Sequence, residues 1–405
     1  MQLGSIVGQP PRRCPLQRTL GVLAILAAGA PSSAAPPEPF AAWRARTEVG
    51  ATAAPGCREP GTQPSGALYQ ICTPLLVPWN GELVVYAHGY SAPGTPPALP
   101  AEIDLLAPAF TLPGRAFAAS SFRESGFAVT EAIEDLAELL DLVAAEIGIP
   151  SRVYLVGASQ GALIATLAVE RRPDLYDGAL AMCGPLGGAS VQVDYMGDFR
   201  VVFDYFFPAL LSPSPVQIPP WLIEDWGAYF SLVVRHRIID PARAADVADL
   251  LAATGAAFDA EDETTKTQTV AGLLWYNVHA TNDLAARVGG QPFDNLDREY
   301  GGTRDDASLN DGVARYAADG LARLALGERY DLTGALTRPV FTLHTTGDEI
   351  VPYRHAELFG ERVAQAGSGA LHEHEAIPRY GHCNFEALEV VAAFGRLVAR
   401  VETID

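Results

Sequence analysis

Ser159 is the residue in this sequence best placed to act as a nucleophile. It sits in Gly157-Ala158-Ser159-Gln160-Gly161, a G-x-S-x-G spacing that carries meaning only when a strand leads in and a helix leads out. Both are expected here. Val153 to Val156 is a β-branched and aromatic run that predicts a buried strand, and Ala162 to about Arg171 predicts a helix of small residues. The two glycines leave room for a turn that lifts the serine hydroxyl clear of the sheet edge. Gln160 opens the helix, so its backbone N–H faces whatever Ser159 attacks. Without the flanking strand and helix, the stretch would read as a glycine-rich loop.

A serine hydroxyl is a poor nucleophile until a base takes its proton, and the base needs an acid to orient it. Later in the chain come Gly347-Asp348-Glu349-Ile350-Val351-Pro352 and Gly381-His382-Cys383. With the serine segment, these resemble the three signatures of the α/β-hydrolases, over roughly residues 80–183 and 339–402. The resemblance implies Ser159 as nucleophile, His382 as general base and Asp348 as the acid that fixes the imidazole, with Glu349 the competing acid. An oxyanion hole needs a second N–H donor beside that of Gln160. His88-Gly89-Tyr90, at the end of a strand-like run, supplies it from Tyr90, and Gly89 lets the backbone approach closely.

Positioning these residues takes alternating strands and helices. Strand-like runs lie at Ala67–Cys72, Gly81–Ala87, Arg115–Ser121, Gly178–Cys183, Pro339–His344 and His372–Ile377. A helix is expected near Ala101. Ile133, Leu136, Leu139, Leu140, Leu142 and Val143 recur at helical spacing across Thr130–Ile147, and further helices are expected over Tyr353–Ala366 and Phe385–Val401. Arg379–Asn384 reads as a loop. The pattern predicts a mostly parallel central sheet with helices on both faces. It stops over residues 184–338, where the segments look helical and aromatics are dense. This block reads as a mainly helical cap inserted into a core of residues 36–183 and 339–405. Most of its aromatics should form its own core. Trp221, Trp226, Trp275 and Tyr276 are the candidates to line a substrate pocket.

Residues 1–35 read as a signal peptide. Arg12, Arg13 and Arg18 precede an apolar run from Leu20 to Ala30 and small residues up to Ala35. The chain is therefore expected to be exported, secreted or periplasmic, with no membrane anchor. Its formal net charge of −20 repels nucleic acid. Cys57, Cys72, Cys183 and Cys383 remain beyond the signal, an even count that predicts two disulfides with three pairings open. Cys183 ends the strand next to the one delivering Ser159 and Cys383 follows His382, so sheet order favours joining Cys183 to Cys383 and Cys57 to Cys72. Tannases and fungal feruloyl esterases also tie a cysteine after the histidine to one beside the serine. Here that latter position is Ala158, so their aromatic specificity does not transfer.

The other histidines carry less. His88 should shape its loop. His372 and His374 share a strand face and could bind a metal, but an exposed edge strand is the simpler reading. His236 and His279 lie in no motif. No metal or cofactor is expected, and Lys266 is the only lysine, which leaves little scope for Schiff-base chemistry. The resemblance implies a carboxylic ester hydrolase that forms an acyl-enzyme with a small or oligomeric ester. A serine exopeptidase with the same triad is the second reading, and a non-catalytic binding protein on the same scaffold the third.

Overall fold

The computed structural model describes residues 56–404. The expected signal peptide and residues 36–55 lie outside the described residues. One sheet of eight strands runs through the molecule: β1 (Gly61–Thr62), β2 (Leu68–Cys72), β3 (Glu82–Ala87), β4 (Ala116–Ser120), β5 (Arg152–Ala158), β6 (Gly178–Met182), β7 (Val340–Gly347) and β8 (His372–Tyr380). Their order across the sheet is β1-β2-β4-β3-β5-β6-β7-β8. β2 is antiparallel to β1 and β4, and every other neighbouring pair is parallel.

The central strands are covered on both faces, which is why they read as unbroken apolar runs. Successive side chains alternate between two cores. Leu83, Val85, Leu155 and Ala181 pack with the helices Val129–Glu146 and Gln160–Arg171. Val84, Tyr86, Val156 and Met182 pack on the opposite face with Ile103–Thr111 and Ala387–Ile404. A mixed sheet in this order, clad by helices on both sides, is the α/β-hydrolase fold.

Some boundaries move from those the sequence suggests. β8 continues through Arg379 and Tyr380 because Tyr380 pairs with Gly347 beyond an irregularity in the ladder, and the last helix starts at Ala387. His372 and His374 are not on an exposed face. Thr342 Oγ1 on β7 meets His372 Nε2 at 2.8 Å and His374 Nδ1 at 2.9 Å, and the Tyr353 hydroxyl meets His374 Nε2 at 3.0 Å. Burial lowers the pKa of both rings, so this is a neutral hydrogen-bonded chain that staples the edge strand to its neighbour.

Between β6 and β7 the chain forms helices, the longest being Ala189–Phe206 and Thr264–Val288. They share a core of their own, built on Phe203, Trp226, Phe230, Leu250 and Leu274, and this core also takes in Ile350 and Val351 from the loop after β7. The helical segment is thereby packed directly on the loop that carries Asp348. Cys57 is bonded to Cys72, and Cys183 to Cys383. No helix among the described residues is long and apolar enough to cross a membrane.

Candidate active site

β5 ends at Ala158 and the next helix starts at Gln160, so Ser159 alone makes the turn. It does so at φ 57° and ψ −126°, a strained conformation for a residue with a side chain. Its N–H donates to the Met182 carbonyl at 2.9 Å, which ties the turn to β6. The flanking glycines are required by contact. A Cβ on Gly157 would stand 2.1 Å from the Gly161 carbonyl oxygen, and one on Gly161 would stand 1.9 Å from that of Ala87. Backbone therefore meets backbone on both sides of the turn.

His382 Nε2 lies 2.9 Å from Ser159 Oγ, and His382 Nδ1 lies 2.8 Å from Asp348 Oδ2. The carboxylate of Asp348 is itself held. Oδ1 accepts from the backbone N–H groups of Ile350 (3.0 Å) and Val351 (2.8 Å), and His344 Nε2 stands 3.4 Å from Oδ2. Burial pushes the Asp348 carboxyl up, but the His382 charge and the His344 hydrogen bond outweigh it and hold the group well below the carboxylate range. Burial pulls His382 down, whereas the Asp348 charge and hydrogen bond raise it further, and the net shift is upward. Asp348, the first acid of the loop, faces His382 Nδ1. Glu349 instead accepts from the backbone N–H of His382. It is 4 % exposed, and burial followed by the Asp348 charge pushes its pKa up to about 7.

Gln160 is the first helical residue, so its N–H has no acceptor within the helix. Gly89 lies against the serine: a Cβ there would sit 3.4 Å from Ser159 Cβ. Tyr90 follows it, and Tyr90, Ser159 and Gln160 line one cavity. His88 stacks on Phe122 with ring centroids 4.2 Å apart, and its Nδ1 lies 2.7 Å from the Gly89 carbonyl, so it shapes this loop.

The cavity has a volume of about 130 Å³. Val193, Met196, Val216, Leu284, Phe293 and Val351 give it apolar walls, and no charged side chain is among the residues lining it. Of the four aromatics expected in a pocket, only Tyr276 lines it. Trp226 is buried in a stripe with Leu222 and Phe230 at helical spacing, serving the core of the inserted helices. Trp221 is 47 % exposed and edges onto Tyr229. Trp275 stands behind the wall, edge-on to Tyr90 and Tyr276. Sequence reasoning missed Gln192 and Met196, since nothing in one helix's sequence says which face looks onto a neighbour's cavity, and Phe293, which reaches the wall from the connection after Thr264–Val288.

Cys183, His382 and Cys383 bring their donor atoms within 4.8 Å of one another, but both sulfurs are taken by the disulfide and offer no thiolate to a metal.

No family model matches this sequence, and no curated protein matches it. Solved structures resemble it at low similarity. Est1E from Butyrivibrio proteoclasticus is 12 % identical, with a TM-score of 0.43 over 86 % of this chain and 99 % of its own. Proline iminopeptidase from Mycobacterium smegmatis is 14 % identical, with a TM-score of 0.45 over 86 % of this chain and 100 % of its own. Puromycin hydrolase is 16 % identical, with a TM-score of 0.43 over 85 % of this chain, which spans only 39 % of that protein. Similarity at this level leaves the chemistry to be argued from the site.

Proposed function

We propose that this chain is an exported serine hydrolase that cleaves carboxylic esters through an acyl-enzyme. The hydrogen-bonded line from Ser159 through His382 to Asp348 carries this reading. His382 Nε2 takes the proton as Ser159 Oγ attacks the ester carbonyl, and Asp348 holds the imidazole and balances the imidazolium. The N–H groups of Gln160 and Tyr90 receive the developing oxyanion. The tetrahedral intermediate collapses, and the departing alkoxide takes the proton from His382. Water, deprotonated by the same histidine, then frees the acid. The inserted helices act as a cap that keeps the acyl group out of bulk water.

The uncharged cavity favours esters over an exopeptidase reading. A site that grips a substrate ammonium needs a carboxylate facing it, and none lines this cavity. Two disulfides are consistent with export. Hydrolysis of p-nitrophenyl esters from acetate to octanoate, with Ser159→Ala in parallel, tests the reading. Turnover is expected, lost in the variant, with a chain-length optimum set by the cavity. A folded wild type that cleaves no ester but does cleave aminoacyl amides would replace it with the peptidase reading.

A further inference from the structure

Residues 226–238 form one helical run, Trp226–Tyr229 and Arg235–Ile238 joined by a π turn at Phe230–Val234. Its buried side chains are Trp226, Phe230, Val234 and Ile238, and Leu222 before it continues the row. They fall at every fourth residue, so one narrow stripe fastens the run to the core of the inserted helices. A surface helix of the usual kind buries a wider stripe, so an unusually large part of this one faces out. Leu232 is 72 % exposed, Val233 and Ile239 are exposed as well, and the exposed Arg235, His236 and Arg237 stand among them. Leu232 and His236, Val233 and Arg237, and Arg235 and Ile239 are each four residues apart and so lie side by side on the helix surface.

Charge singles out the same face. Among the described residues, the one lysine and every arginine except Arg235 and Arg237 make an ion pair or a hydrogen bond. Acids outnumber these cations, 48 against 28 over the whole sequence, so carboxylates to pair with are plentiful. The two free guanidinium groups nevertheless lie next to three exposed aliphatic side chains.

We propose that this helix face docks on an anionic lipid surface, with Leu232, Val233 and Ile239 entering the headgroup layer and Arg235 and Arg237 reaching lipid phosphates. Apolar and cationic side chains mixed along one helix suit a surface that carries phosphates above acyl chains. The long arginine stems lie along the apolar layer while their heads stay at the phosphates. The acidic remainder of the protein is repelled by such a surface, which leaves this helix to make the contact. A second copy of the chain fits the face less well, because a two-fold contact through it would set these guanidinium groups against their own counterparts. The proposal does not depend on the ester-hydrolase reading.

The test is co-sedimentation with vesicles of phosphatidylcholine alone and of phosphatidylcholine mixed equally with phosphatidylglycerol. Partition onto the mixed vesicles is expected to exceed that onto phosphatidylcholine by about tenfold or more. Arg235→Gln with Arg237→Gln removes two phosphate-directed charges and should lower partition onto the mixed vesicles by about 30-fold. Leu232→Ser with Val233→Ser should lower it by about tenfold. These side chains are exposed, so both variants should keep the wild-type thermal midpoint. Ser159→Ala should bind as the wild type does, which separates docking from catalysis. No binding to either vesicle, equal binding to both, or binding to the mixed vesicles that Arg235→Gln with Arg237→Gln leaves unchanged would overturn the proposal. A dimer in analytical ultracentrifugation that the same variant splits, with no lipid bound, would overturn it too and assign the face to a second copy of the chain.

Discussion

Cys383 follows His382 and, in its bond to Cys183, brings its Sγ to 3.5 Å from His382 Nε2. Cys183 and Cys383 also share an unusual backbone with the serine they flank: φ is 49° at Cys183, 53° at Cys383 and 57° at Ser159. Residues with side chains stay in that region only when their surroundings hold them there. The disulfide closes a separation of 200 residues and joins the end of β6 to the histidine loop.

Removing this bond should therefore cost turnover as well as stability. Cys183→Ser with Cys383→Ser lets both positions relax, and a displacement of His382 by about 1 Å is enough to lower kcat by about 10²-fold. The chain-entropy estimate puts the loss of stability at up to about 5 kcal/mol for a loop of that length. Cys57→Ser with Cys72→Ser is the control. Its loop spans 15 residues, so about 3 kcal/mol is at stake, but kcat should hold. Equal losses of kcat in the two double variants would show that the Cys183–Cys383 bond does nothing special for the histidine.

The two adjacent acids should separate cleanly. Asp348→Asn offers His382 the wrong hydrogen-bonding partner and should lower kcat by about 10⁴-fold. Glu349→Gln should leave turnover largely intact and change its dependence on pH instead. Ionised Glu349 raises the pKa of His382, so the variant should move the acid limb of kcat/KM to lower pH. Stability responds too. Glu349 titrates near 7 in the fold against an ordinary 4.5. Between those values the folded chain holds a proton the unfolded chain has released, so stability falls as pH rises from about 4.5 to 7 and levels off above. The full effect approaches about 3 kcal/mol. Denaturation midpoints across that window check it, and parallel curves for wild type and variant would refute it.

How much of this was legible in the sequence depends on whether the signal is local. Ser159, Asp348 and His382 stand at turns where strands end, and turns need glycine at fixed offsets, so Gly157, Gly161, Gly347 and Gly381 mark them. Strand and helix periods located the sheet for the same reason. The cavity was not legible. Trp226 and Tyr276 look equally suited to a pocket, yet one serves the inserted core and the other the cavity wall. The difference is made by how the helices turn toward one another, which is decided by packing across the whole inserted segment. His372 and His374 do lie on an edge strand, as the sequence suggests, but their hydrogen bonds were not legible because the partners, Thr342 and Tyr353, are remote in sequence.

The tight contact at the serine turn gives a sharper contrast between two glycines. An alanine at Gly161 would place its Cβ 1.9 Å from the Ala87 carbonyl oxygen and 2.6 Å from that of His88. Both atoms are backbone and neither can rotate away, so β3 and the turn must part. Gly161→Ala should yield little folded protein. Gly89→Ala places its nearest contact at 3.4 Å, on Ser159 Cβ, an ordinary van der Waals distance. It should fold and keep measurable turnover. Soluble yield and thermal midpoint decide the comparison, and a well-folded Gly161→Ala would mean that the turn has slack the contacts deny.

The inserted helices have their own point of failure in Arg200. Its side chain is fully buried beneath the helix Ala189–Phe206, with Nε 3.0 Å from Asp204 Oδ1, one Nη 2.8 Å from Asn277 Oδ1 and the other 2.7 Å from the Ser212 carbonyl. Burial pushes Asp204 up and Arg200 pulls it back down, so each charge leans on the other. Arg200→Ala leaves the part-exposed Asp204 without its partner and opens a cavity where Arg200 was fully buried, and should cost about 2–4 kcal/mol. Because Asn277 lines the same cavity as Ser159 and loses its Arg200 donor, KM for an ester substrate should rise while kcat, set at the triad, changes less. Arg200→Met with Asp204→Leu removes both charges and restores apolar volume, so it should recover most of the stability. The KM defect should persist in that pair, since Asn277 still lacks its donor. Recovery of KM together with stability would mean that Arg200 acts on the cavity only by keeping the helices folded.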